Sequence, residues 1–150
     1  DKWYAEELMT SQKDHAENVM IVDLLRNDLS KVSESHSVKV TQLCGLESFA
    51  TVHHLVSAVE AKLIEKHNAI DLLRATFPGG SITGAPKIRA MEIITEIEQY
   101  ARGPYCGSIG YIGFNDDMNV SIAIRTLTIQ NDSIVFQAGG AIVADSDPAK

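Results

Sequence analysis

Cysteine is scarce in this chain. Cys44 and Cys106 are the only two in 150 residues, and they show no metal-ligand spacing. That excludes a disulfide framework, and the default expectation is a reduced, cytoplasmic setting. Basic residues are also in short supply. Thirteen Lys and Arg against 20 Asp and Glu leave a net charge of −7, which speaks against nonspecific nucleic-acid binding and against docking on anionic membranes. No apolar run approaches the ~20 residues of a membrane span. There is no initiator Met before Asp1-Lys2-Trp3, so the chain reads as a segment of something longer. Repeats, low-complexity tracts and linkers are missing too, and residues 1–150 read as one domain. What is present is ordinary for a soluble globular protein: 45% hydrophobic and 22% charged residues. A chain of this length buries roughly two-thirds of its unfolded surface on folding.

The stretch Pro78-Gly79-Gly80-Ser81-Ile82-Thr83-Gly84-Ala85-Pro86-Lys87 stands out. It is a glycine-rich loop running into a helix. Its glycines allow tight turns and close approach of a ligand to backbone. Pro86 suits the first helical turn, where a missing N–H costs nothing. The free N–H groups of that turn would seat a carboxylate or phosphate. A P-loop is excluded, because Ala85-Pro86 stands where Lys-Ser/Thr should follow Gly84. An ordinary glycine-rich turn before a capped helix is the alternative.

Along the chain, Trp3 to Asn27 carries no Gly or Pro and predicts one long helix. Val38 to Leu43 alternates and predicts a strand. Thr51 to Lys66 predicts a helix with Leu55, Val56, Val59, Leu63 and Ile64 inward, and Asp71 to Phe77 a short helix ended by Pro78. A further helix runs from Pro86 to about Ala101. After Arg102-Gly103-Pro104 the period changes to alternation, with strands over Tyr105–Phe114, Val120–Ile129 and Ser133–Ala138. Helices first and an antiparallel β-meander last predict an α+β fold.

Three positions break their own patterns. Glu17 shares a helical stripe with Asp14, Ile21, Leu24 and Asp28, so its carboxylate is paired, near a metal, or at a rim. One protein carboxylate can be half of a magnesium site. His54 follows His53 in the helix predicted from Thr51, where one of the two faces inward; a satisfied core histidine is the alternative to a catalytic one. Arg125 follows Ser121 and Ala123 on one strand face, which leaves room for a guanidinium to grip a carboxylate. A solvated arginine on an open sheet face is the alternative. Gly107, Gly110 and Gly113 share one predicted strand, which points to bulges, a ligand against backbone, or tight sheet packing.

Six segments occur in one order: 16–28 (Ala-Glu-Asn-Val-Met-Ile-Val-Asp-Leu-Leu-Arg-Asn-Asp), Val52-His53-His54-Leu55-Val56-Ser57, the glycine loop, Tyr105-Cys106-Gly107, Ile124-Arg125-Thr126 and Ala138-Gly139-Gly140. Together they resemble the chorismate-binding enzymes, and the match runs essentially end to end. The glycine loop is most similar to that of the aminodeoxychorismate synthase component I branch. The resemblance implies the C-terminal core of a layered fold in which helices flank sheet. It implies chemistry on chorismate, a dicarboxylate, with Mg2+ as cofactor. By motif position Glu17 resembles a magnesium ligand and His54 the catalytic histidine beside the reacting ring. Thr83, Gly84 and Ala85 resemble the seat of the ring carboxylate. Tyr105, Arg125 and Gly139 resemble the grip on the enolpyruvyl carboxylate.

The activity so implied is amination of chorismate at its 4-position, with ammonia from a glutamine amidotransferase partner, on the route to 4-aminobenzoate and folate. Amination at the 2-position by an anthranilate synthase component I is the alternative. A third reading makes the segment, taken alone, noncatalytic. The family's lysine-bearing motif lies before residue 1 and its second pair of metal-binding glutamates beyond residue 150. Ala141 stands where many relatives have glycine.

Overall fold

A computed structural model describes residues 2–144 and 146. The chain divides into two compact units. Among the described residues, the first comprises 2–66, 143, 144 and 146, and the second 67–142. The boundary has no linker composition, so nothing in the sequence marks it.

In the first unit, helix α1 spans Lys2–Thr10 and helix α2 spans Gln12–Ser30. The single helix expected from Trp3 to Asn27 is therefore two. Ser11 is extended (φ −68°, ψ 108°), and its hydroxyl accepts the Asp14 N–H, capping α2. The Thr10 hydroxyl donates back to the Glu6 carbonyl. Two adjacent hydroxyl residues thus offer the backbone partners outside the helical ladder, which ends one helix and starts the next. The inward stripe of α2 holds: Asp14, Glu17, Ile21 and Leu24 are half-buried and Asp28 is buried.

Strand β1 (Lys39–Ser48) pairs antiparallel with β2 (His53–Glu60). The helix expected over Thr51 to Lys66 is thus corrected to a strand followed by a turn. Leu55, Val56 and Val59 satisfy helical spacing, but Val52, Val56 and Val59 are β-branched and β1 supplies a ladder partner. The tertiary partner decides such cases. Residues 53–59 are half-buried on both faces of the hairpin, so β2 has no polar alternation for a reader to find. Beyond β2, the Ile64 N–H donates to Val32 O and the Glu34 N–H to Lys62 O, closing the unit around buried Val32 and Ser33.

The second unit opens with α3 (Ala69–Thr76). Asn68 and Asp71 form a reciprocal capping box at its start. The Asn68 N–H holds the Asp71 carboxyl below its ordinary range. A 3-10 turn (Gly80–Ile82) precedes α4 (Lys87–Ile97), and Pro86 is the residue before the helix rather than within its first turn. The remaining strands are β3 (Ser108–Ile112), β4 (Met118–Ile122), β5 (Leu127–Gln130) and β6 (Ser133–Phe136).

Helices followed by antiparallel sheet make the fold α+β, as the sequence predicts. The strands form hairpins, β3 with β4 and β5 with β6, and the expected strand over 120–129 is interrupted between Ala123 and Thr126. Arg125 lies in that interruption with φ +52°. Gly110 is bare because a side chain there would run into the β4 backbone at Asn119 and Val120. Sheet packing accounts for it without a ligand.

Candidate functional site

Two of the eight expected site residues, Glu17 and His54, belong to the first unit. Glu17 is half-buried on α2, and no hydrogen bond or ion pair engages its carboxylate among the described residues. His54 is half-buried on β2 rather than in a helix turn, and β1 sets Glu47 directly opposite it. Its ring meets Phe49 edge-on, with centroids 5.8 Å apart. His53, on the opposite face of the strand, is hydrogen-bonded through Nδ1 to the Ser48 hydroxyl at 2.8 Å.

The residues following Glu17 and His54 are joined directly. Asn18 Nδ2 donates to the Leu55 carbonyl at 3.0 Å. Its Oδ1 accepts from the Ser57 hydroxyl, which in turn accepts the Cys44 N–H at 2.8 Å. Sequence reasoning missed this bridge. Asn18 and Ser57 are 39 positions apart, and no local pattern pairs them.

The other six expected residues lie in the second unit. In the glycine loop, the Thr83 hydroxyl donates to Gly79 O at 3.0 Å, so it braces the loop. Gly84 has φ +138°, a conformation other residues rarely adopt, and a Cβ there would stand 3.2 Å from the Ala90 Cβ. No side chain caps α4. The turn before α4 brings Gly84 and Ala85 beside the start of that helix, where the Ala90 N–H already donates to Pro86 O at 3.0 Å.

Arg102 fastens this loop from the far end of α4. Its Nη1 donates to Ile82 O at 2.9 Å. Its Nε and Nη2 form a fork on the Glu98 carboxylate at 2.8 and 2.6 Å. Each partner stabilises the other's charge. The fork pushes the Arg102 pKa up and the Glu98 pKa down. The Glu98/Arg102 spacing of four was visible in the sequence, although α4 ends at Ile97; the donation to Ile82 was not.

Tyr105 and Gly139 are brought together. The Tyr105 hydroxyl lies where a Gly139 side chain would begin. Desolvation, followed by the neighbouring Cys106, raises the Tyr105 pKa, so at neutral pH this hydroxyl is a donor. The turn carrying Tyr105 is pinned to the chain ahead of Arg125: the Cys106 N–H donates to Ala123 O and the Ala123 N–H to Gly107 O, both at 2.9 Å. Arg125 itself is exposed, and no hydrogen bond or ion pair engages it among the described residues.

The family model for chorismate binding enzymes matches residues 1–150. The chain belongs to the chorismate-binding enzyme family. Among relatives of this family, it is 58% identical over 146 residues to aminodeoxychorismate synthase component 1 of Escherichia coli, covering 97% of this chain and 32% of that protein. It is 47% identical over 150 residues to anthranilate synthase component 1 of Aquifex aeolicus, covering 100% and 30%. A solved structure of a putative 2,3-dihydroxybenzoate-specific isochorismate synthase from Bacillus anthracis superposes with a TM-score of 0.86 at 28% identity, covering 99% of this chain and 40% of that one. Anthranilate synthase component I from Streptococcus pneumoniae gives a TM-score of 0.79 at 47% identity, covering 85% and 29%. The chain thus spans about a third of the length of the curated chorismate-binding relatives it matches.

Among the described residues, no group of three or more His, Cys, Asp or Glu could hold a metal ion. The half-buried Glu17 carboxylate has the chemistry of one magnesium ligand, and magnesium commonly takes one or two protein carboxylates with the rest of its shell from water and substrate. The donor set therefore fits part of a magnesium site. No helix of the described residues is long and apolar enough to cross a membrane.

Proposed function

We propose that this chain is the chorismate-binding portion of an aminodeoxychorismate synthase component I. That enzyme replaces the 4-hydroxyl of chorismate with an amino group, releasing water. Its ammonia comes from a glutamine amidotransferase partner, and its product leads to 4-aminobenzoate and folate. The observation that carries the reading is the 58% identity to the E. coli protein of that name. The second reading, anthranilate synthase component I, rests on the 47% identity to several proteins of that name.

In this reading Glu17 is a magnesium ligand, and bound magnesium supplies positive charge for a dicarboxylate substrate. His54 stands beside the reacting ring. The N–H groups near Gly84 and Ala85, with Thr83 bracing the loop, hold the ring carboxylate. Tyr105, Arg125 and the Gly139 backbone hold the enolpyruvyl carboxylate. An unengaged carboxylate, a glycine loop turned into a helix start, a neutral tyrosine hydroxyl against bare glycine and an unengaged guanidinium all support these roles, since preorganised charges and donors are what a dianionic substrate requires.

The test uses the full-length protein with chorismate, ammonium and magnesium. The expected product is 4-amino-4-deoxychorismate. Anthranilate with pyruvate would turn the assignment to the second reading, and turnover to neither would sink both. The Glu17→Gln variant keeps shape and loses charge. It should need more magnesium with little change in melting temperature, whereas an unchanged magnesium requirement removes Glu17 from the metal site.

A further inference from the structure

The hydrogen bonds around Asn18 admit only one arrangement. The Leu55 carbonyl can only accept, so the Asn18 amide must present Nδ2 to it. Oδ1 then faces Ser57 and can only accept, so the serine hydroxyl donates. Ser57 Oγ still has a lone pair for the Cys44 N–H. The chain Cys44 N–H to Ser57 Oγ–H to Asn18 Oδ1, and from Asn18 Nδ2–H to Leu55 O, leaves no member unsatisfied, and its links polarise one another.

The backbone is shaped for this chain. Between the pairs Gln42↔Ala58 and Gly45↔Val56, β1 carries Leu43 and Cys44 where β2 carries only Ser57. Cys44 takes φ +49° in this bulge. Its N–H is turned out of the ladder and onto the serine. Bulges commonly re-aim groups in this way beside functional sites.

Asn18 follows Glu17 on α2, and its two partners, Leu55 and Ser57, lie one and three residues past His54 on β2. We infer that Asn18 and Ser57 are positioning residues, which lock α2 onto β2 and so fix the direction in which Glu17 presents its carboxylate to magnesium. The inference rests on the metal reading of Glu17 given above. An apolar contact would also hold a helix on a strand, but it would not fix rotation about the helix axis. A two-ended amide grip does.

The test compares Ser57→Ala, Ser57→Thr and Asn18→Asp with Glu17→Gln in the full-length protein. Magnesium affinity is measured by calorimetric titration in the presence of chorismate and absence of ammonia, with melting temperature beside it. Loss of groups that orient a metal ligand typically weakens metal affinity about 10–100-fold. Ser57→Ala should lower magnesium affinity about tenfold, and Ser57→Thr, which keeps the hydroxyl, should restore it. Asn18→Asp keeps the acceptor but cannot donate to Leu55, and should also weaken magnesium binding. A fall in melting temperature with unchanged magnesium affinity in both Ser57→Ala and Asn18→Asp would overturn the inference, leaving the bridge a structural brace. If Glu17→Gln also leaves magnesium affinity unchanged, the metal reading fails and the inference with it. A weakened Glu17→Gln beside unaffected Ser57 and Asn18 variants overturns the inference alone.

Discussion

The Tyr105 hydroxyl oxygen lies 3.0 Å from the point where a side chain on Gly139 would begin. A methyl group at Gly139 therefore requires Tyr105 to move. If both groups hold one carboxylate of chorismate, the two positions are energetically coupled. Gly139→Ala should weaken chorismate binding, and adding Tyr105→Phe, which removes the obstructing oxygen, should cost less than the sum of the single changes. Contacting residues typically show couplings of about 0.5–3 kcal/mol. A double-mutant cycle on the chorismate dissociation constant measures this, and strict additivity would separate the two residues.

Arg125 sets local stability against binding. Its φ of +52° is disfavoured for a residue with a long side chain. Asparagine tolerates that region better. Arg125→Asn should leave the melting temperature unchanged or raise it. It should also weaken chorismate binding about tenfold or more, as expected for loss of a charge-assisted contact worth about 1.5–3 kcal/mol. Arg125→Lys keeps the charge without the planar fork and should be impaired as well. Unchanged chorismate affinity in Arg125→Lys would make Arg125 a solvated residue of the β4–β5 connection.

The Glu98–Arg102 fork predicts a pH dependence. The hydrogen bond from Arg102 lowers the Glu98 pKa beneath its ordinary value of 4.5. A carboxylate with a depressed folded pKa contributes stability that is present above the unfolded value and lost as pH falls through the folded one. The melting temperature of the protein should thus exceed that of Glu98→Gln at about pH 7, and the gap should narrow as the pH falls below the ordinary carboxylate value and through the depressed one. Both side chains are partly exposed, so the effect is modest and shrinks with added salt. A gap independent of pH would mean that Glu98 acts through packing.

Local signals carried much of the fold. Proline and glycine punctuation around residues 78–86 marked the end of α3 and the start of α4, and the gaps between the predicted strands, at 115–119 and 130–132, marked the last two hairpins. What was not legible depended on partners distant in sequence. β2 resembles a helix until β1 is laid beside it. Arg125 sits within unbroken apolar alternation, and only its backbone conformation reveals the break. At the site, the six ordered motifs gave the residue types and their family. The Asn18–Ser57 bridge and the reach of Arg102 to Ile82 exist only once the chain has folded.

The pairing of β1 with β2 carries one more consequence. Its register slips twice in the same direction, once between Val40 and Gln42 and again between Gln42 and Gly45. Each slip sets two residues of β1 against one of β2, so the odd–even alternation along β1 reverses past it while cross-strand partners stay on one face. Two slips cancel. Lys39–Val40 and Gly45–Ser48 therefore keep one common parity, and Glu47 arrives opposite His54 on the side that uninterrupted alternation would give it. Unbroken pairing from Lys39↔Glu60 would set Glu47 opposite Val52; the two extra residues on β1 bring it opposite His54 instead, two positions along β2 and on the same face.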